Sequence, residues 1–123
     1  MFSEERFSHY KSGNAEQDTE HKEILDILES IRHTETYEEM IVGVDELFIH
    51  LKFHQTHETE LMEYIGFKYI GFHLEQHTMM SAKWKELKHQ IECGLENKVI
   101  TYYVSEIQQI LLDHIDHYDR QIF

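Results

Sequence analysis

The chain contains no proline, a single cysteine and five glycines in 123 residues. The absence of proline leaves nothing to break a long helix by removing a backbone donor. The lone cysteine, Cys93, rules out an internal disulfide and fits a reducing, cytoplasmic setting. Long apolar runs are missing too: none approaches the roughly 18 residues of a membrane span. The opening "MFSEERFSHYKSGN" has no apolar stretch of the kind found in a secretory leader. Basic residues are scarce, 11 Lys and Arg against 24 Asp and Glu, for a formal charge of -13. That balance disfavours nucleic acid and anionic membrane as partners and suits a cation or a plainly solvated surface.

What the chain has in excess is histidine, eleven in all. The length is that of one ordinary domain, and a 41% hydrophobic content is enough for one core. Strand-like alternation and internal repeats are absent. The spacing predicts four helices over about 16–33, 37–65, 69–93 and 98–120, after an irregular N-terminal arm. Thr36 and Glu39 have capping-box spacing at the start of the second, and Gly66 stands where a residue just past a helix end belongs. Short connections favour antiparallel neighbours, hence an all-α, up-down-up-down four-helix bundle forming a single domain over residues 1–123.

Polar residues interrupt the apolar stripes of these helices. The third helix reads Ile70, His73, His77, Met80, Trp84, Leu87 and Ile91, a seven-residue repeat with two histidines inside it. The second reads Ile41, Val44, Phe48, Leu51, His54, Glu58, Leu61 and Ile65. The first offers His21 ahead of Ile24, Leu25 and Leu28. The fourth offers Val104, Ile107, Leu111 and His114, then Tyr118 or Asp119. An ionised carboxylate buried alone costs several kcal/mol or more, and buried imidazoles need partners. A lone inward histidine is more often a satisfied core residue than a ligand. Five on four helices, with two carboxylates, are better explained by cations in their midst.

Imidazole with carboxylate suits iron, zinc, copper or nickel, and seven protein ligands are too many for one ion. The zinc-protease pattern H-E-x-x-H is absent. The only Glu-x-x-His, Glu86–His89, has no mate of the kind ferritin-like di-iron sites use. A histidine-rich dinuclear centre remains. On spacing alone the second-helix ligand stays open between His50, His54 and His57. His9, His33, His89 and His117 read as surface or arm residues. Cys93 reads as a small buried residue, Met62, Met79 and Met80 as core, and "TETYEE" as a solvated helix start.

Together, "DTEH" ending at His21, "HQTHE" with His54 and Glu58, "HLEQH" with His73 and His77, and "HIDHYD" with His114 and Asp119 resemble the hemerythrin family, in its prokaryotic single-domain form. "ELMEYIGF", Gly13, Asp18 and Ile115 support the likeness, which covers nearly the whole chain from about Phe7 and places the second-helix ligand at His54. Gln55, Thr59 and Ile110 depart from the family's usual residues around the site.

The resemblance implies two iron ions, oxo- or hydroxo-bridged. His73, His77 and His114 would hold one iron, and His21 and His54 the other, which keeps an open position. Glu58 and Asp119 would bridge. The implied activity is reversible O2 binding for storage, delivery or sensing, with NO or small anions as other ligands of the open position. Leu25, Leu28, Leu111 and Ile115 would line the O2 pocket. The alternatives on the same scaffold are a di-iron oxidase, peroxidase or nitric-oxide-handling enzyme, and an iron-handling or repair protein. One spacing is awkward. His114 and Asp119 lie five residues apart, about 140° of turn in a regular helix, so either the helix contains a local irregularity such as a π-type turn, or Asp119 reaches in from the side, or Asp119 is not a ligand; the first two are favoured.

Overall fold

The computed structural model describes residues 2–94 and 96–122. It is all-helical, and no strand occurs among the described residues. The helices are α1 (Glu4–Phe7), α2 (Ala15–Arg32), α3 (Tyr37–Ile65), α4 (Ile70–Glu92) and α5 (Asn97–His117), with 3₁₀ turns at Ser8–Tyr10 and Asp119–Gln121. Each long helix packs against the next, α2 on α3, α3 on α4, α4 on α5, and α5 returns to α2. No helix among the described residues is long and apolar enough to cross a membrane.

Local chemistry sets the helix ends. Asn14 accepts from the Gln17 backbone N–H at 3.0 Å, and Thr36 accepts from Glu39 N–H at 3.1 Å. Gly66 closes α3 in the left-handed region, φ 68°, which costs glycine nothing. The N-terminal segment is more ordered than an irregular arm. Phe2 and Phe7 are buried in the core, and the Phe2 backbone N–H donates to Asp26 at 2.8 Å.

The expected stripe of α4 is buried from His73 through Ile91, with Ile70 half-buried at its start. That of α3 is displaced. Met40, Val44, Leu47, Leu51, His54, Glu58 and Met62 face inward, while Leu61 is half-buried and Ile65 exposed. A straight 3.6-residue helix drifts against a seven-residue repeat, and the drift accumulates over 29 residues. Two smaller expectations also fail: Cys93, just past the end of α4, and Met79, off the His73–His77–Met80 stripe, are exposed.

Helices α2 and α3 approach closely at Gly43, where an added Cβ would lie 2.8 Å from Ile31 Cγ1. Gly43→Ala therefore opposes a helix-propensity gain of about 1 kcal/mol to overpacking of about 1–3 kcal/mol against a buried, branched side chain. The expected net is a destabilisation of about 1 kcal/mol in chemical denaturation. Gly71→Ala, with nothing within 4 Å, should be neutral or stabilising. The same response from both variants would mean that the contact at Gly43 is not close.

Candidate metal centre

Every long helix sends at least one histidine or carboxylate to a single buried locus. His21 comes from α2, His54 and Glu58 from α3, His73 and His77 from α4 and His114 from α5, and Asp119 comes from the turn beyond α5. All seven are at least nine-tenths buried, and Glu58 and Asp119 are each only 1% exposed. Their donor atoms form two groups, Glu58–His73–His77–His114–Asp119 and His21–His54–Glu58–Asp119, either of which could hold a metal ion. The two groups share both carboxylates.

Asp119 arrives by a route the sequence did not disclose. α5 stops at His117, and there is no π-type turn between His114 and Asp119. Tyr118, at φ -113° and ψ -50°, turns the chain into the 3₁₀ turn that begins at Asp119. Arg120 then donates to the His9 carbonyl, tying this turn to the N-terminal segment. Asp116, the other carboxylate within reach by sequence, is exposed and pairs with Arg120 at 3.3 Å.

Each carboxylate turns one oxygen toward each group. Glu58 Oε1 approaches His73 Nε2 closely, His77 Nε2 at 2.9 Å and His114 Nε2 at 3.8 Å. Its Oε2 faces His54 Nε2 at 3.1 Å and accepts from the Gln17 side-chain amide. Asp119 Oδ1 stands 3.0 Å from His73 Nε2 and 2.9 Å from His114 Nε2, and Oδ2 stands 2.9 Å from His21 Nε2. The Nε2 atoms of His21 and His54 face each other at 3.1 Å.

Hydrogen bonds account for only part of this set: His73 and His77 both bond Glu58 Oε1. Both Asp119 oxygens and His114 Nε2 are buried without a hydrogen bond among the described residues, although imidazole nitrogens stand 2.9–3.0 Å from the Asp119 oxygens. Donor atoms about 2.1 Å from a common ion stand about 3 Å from their neighbours, so the separations suit ligands converging on a cation. The residues fit a metal by donor chemistry as well: imidazole with carboxylate, all aimed inward.

Two partners of the site were not evident from the periodicity. Gln17, 5% exposed, holds Glu58. Glu20, 8% exposed, accepts from His54 Nδ1 at 2.8 Å. This bond fixes the His54 tautomer and directs its Nε2 lone pair into the locus, as carboxylate–histidine pairs do at metal sites. The available signal was the i,i+4 spacing of Gln17 and His21 on one face, and the position of Glu20 beside His21. Of the rival second-helix histidines, His57 binds the other oxygen of Glu20, while His50 lies 3.5 Å from Glu23; neither belongs to the two inner groups. His9, His33, His89 and His117 are exposed. Leu25, Leu28, Leu111 and Ile115 are all buried in the core, Leu25 one turn beyond His21 and Leu111 one turn before His114. No protein-family model, curated protein or solved structure matches the chain.

Without metal, protons must supply the positive charge. Burial pushes the His54 imidazolium down, but hydrogen bonds to Glu20 and Glu58 outweigh it and raise His54 to about 10. His114 is likewise disfavoured by burial yet raised to about 9 by Asp119 and Glu58. Burial raises Glu58 and Asp119, and the Glu58 charge raises Asp119 further, but the surrounding imidazoles hold both below the usual carboxylate range. His77 falls, through burial and the charges of His114 and His73, although Glu58 opposes this.

Raised histidines contribute stability that is complete below the ordinary histidine range, near pH 6.5, and lost as pH rises through about 9 to 10. Depressed carboxylates contribute stability present above about pH 4 and lost as pH falls further. The metal-free chain should therefore be most stable between roughly pH 4.5 and 6.5, and its melting temperature should fall on the alkaline side. A metal-loaded chain, whose ligand imidazoles are already deprotonated, should show a much flatter alkaline limb. Identical alkaline limbs with and without metal would remove the charge argument for the site.

Proposed function

We propose that this chain is a hemerythrin-like, up-down-up-down four-helix-bundle protein that binds O2 reversibly at a non-haem di-iron centre, in a cytoplasmic setting. The observation that carries the reading is the division of oxygens: Glu58 and Asp119 each offer one oxygen to a three-histidine group and one to a two-histidine group. Two carboxylates so placed suit bridging between a pair of ions. His73, His77 and His114 would hold the first iron, and His21 and His54 the second.

Iron so held would supply two one-electron reductants side by side, the chemistry that reversible O2 uptake requires. The asymmetry of the donor set supports binding at one iron. One group has three imidazoles and the other two, so the His21–His54 side is one protein ligand short. Glu20 keeps His54 oriented there, and Gln17 holds the Glu58 oxygen on the same side. Leu25, Leu28, Leu111 and Ile115 exclude water and its protons from the surroundings. A shell of five imidazoles and two carboxylates favours binding over turnover, because carboxylate-rich shells better stabilise the oxidised iron that oxidases use.

Anaerobic loading with Fe(II) should give two irons per chain, one for each histidine group. Air should then raise a visible charge-transfer band that disappears on deoxygenation. A band that does not reverse, with product accumulating from an added reductant, would instead establish an oxidase or peroxidase. A final content of one metal, or of zinc alone despite ample iron, would end the dinuclear reading.

His54→Ala should weaken iron retention by about tenfold or more, whereas His50→Ala should leave it unchanged. Glu20→Ala should give an intermediate loss, since it removes the orienting bond and no inner ligand. Equal losses in His50→Ala and His54→Ala would mean that the α3 ligand is assigned to the wrong histidine.

A further inference from the structure

Outside the inner locus, Glu16, Glu20 and His57 bring three potential ligand atoms within 4.8 Å of one another. They line a cleft of about 560 Å³ between α2 and α3, with Glu60 on its wall and Gln17, the partner of Glu58, beneath. Glu16 and Glu20 are one helical turn apart on α2, so they share a face, and His57 meets them from α3. The group is graded in burial: Glu16 and Glu60 are exposed, His57 is half-buried and Glu20 is buried.

We propose that Glu16, Glu20 and His57 form an outer site for one divalent transition-metal cation, separate from the inner seven side chains. Three features distinguish it from a patch of surface acids. It contains a nitrogen donor, which selects transition ions over calcium or magnesium. The wall carries three carboxylates, Glu16, Glu20 and Glu60, against one imidazole, so the cleft stays negative unless a cation enters. The buried carboxylate, Glu20, is fixed in place by its other oxygen: Oε1 accepts from His54 Nδ1 at 2.8 Å, while Oε2 faces the cleft and meets His57 Nδ1 at 2.7 Å. Glu16 Oε1 is 3.6 Å from the same nitrogen.

A cation entering the cleft would replace the proton between His57 Nδ1 and Glu20 Oε2, and that proton would leave to solvent. Glu16 is free to close on the cation, being 76% exposed at its side chain. Glu20 would then link the outer cation to His54 with its two oxygens. Three protein ligands leave further coordination positions to water, which makes the site weaker than a closed four-ligand structural site.

The test is a Co(II) titration of the full chain, followed by visible absorption and by the His57 ring signals in proton NMR, with metal content measured before and after. Wild type should bind one equivalent more than His57→Ala, and the paramagnetic shift should fall on His57. Glu16→Gln should weaken that equivalent by about tenfold or more, and His50→Ala, the other α3 histidine beside a glutamate, should keep it. His57→Ala retains all seven inner side chains, so the one-equivalent difference is readable whether the inner locus holds iron, cobalt or nothing. The proposal is overturned if His57→Ala binds as much cobalt as wild type. It is equally overturned if His50→Ala loses the equivalent, which would make the binding a diffuse effect of the acidic surface. Glu16, exposed at the helix surface, can be changed without disturbing the core, so its variant remains informative if His57→Ala folds poorly.

Discussion

Two ionisable carboxylates, Glu58 and Asp119, lie within the same buried locus, and most of the surrounding structure answers to that fact. Each is 1% exposed, and the charge of Glu58 works directly against ionisation of Asp119. Alone, such a pair would stay protonated or unfold the region. Five imidazoles around them reverse the balance strongly enough to hold both carboxylates ionised. The arrangement is frustrated nonetheless, since raised histidines must crowd their charges together and His77 is driven the other way. Cations in place of protons would concentrate the same positive charge at two points and let every imidazole be neutral.

That constraint explains features of the fold that packing alone does not. A core of this size could be filled entirely by apolar side chains, such as Leu28, Trp84, Leu87 and Leu112 supply elsewhere in it. Instead, α5 ends early so that a turn can bring Asp119 inward, and the turn is secured to the N-terminal segment through Arg120 and His9. At the start of α2, Asp18 accepts from the Ser12 backbone and hydroxyl at 2.8 and 2.9 Å, fixing the approach to the turn that carries Gln17, Glu20 and His21. The segments before α2 and after α5 thus both contribute to holding the site, although neither belongs to a long helix.

The sequence made the helical stretches and the histidine stripe of α4 legible, because there the ligands keep the helical period: His73 and His77 follow Ile70 at steps of three and four. It made His54 and Glu58 legible for the same reason. It was weaker wherever the relevant property was not periodic. The burial of Ile65 was misjudged because the buried face of α3 drifts over its 29 residues. The route of Asp119 depends on one backbone conformation, that of Tyr118, which no spacing rule encodes. Gln17 and Glu20 look like ordinary solvated residues of a helix's first two turns, and their burial follows only from how α2 lies on α3.

The position of Glu20 shows how one residue can join the interior of such a bundle to its surface. Its carboxylate is shared between His54, which is 3% exposed, and His57, which is half-buried at the cleft. A histidine bonded in this way is a better electron donor through its far nitrogen, so the charge state of the cleft acts on the inner locus through a single side chain. On the opposite flank no carboxylate among the described residues bonds His77 Nδ1; there the Gln55 amide donates to the His77 backbone carbonyl at 3.4 Å, and Lys52 donates to Ser81 at 2.8 Å. The two sides of the locus therefore differ in outer electrostatics as well as in histidine count: carboxylates dominate beside the two-histidine group, while Lys52 and Lys85 balance Glu60 and Glu63 beside His77. Were cations held in both groups, the two-histidine side would have one imidazole fewer and the more acidic surroundings.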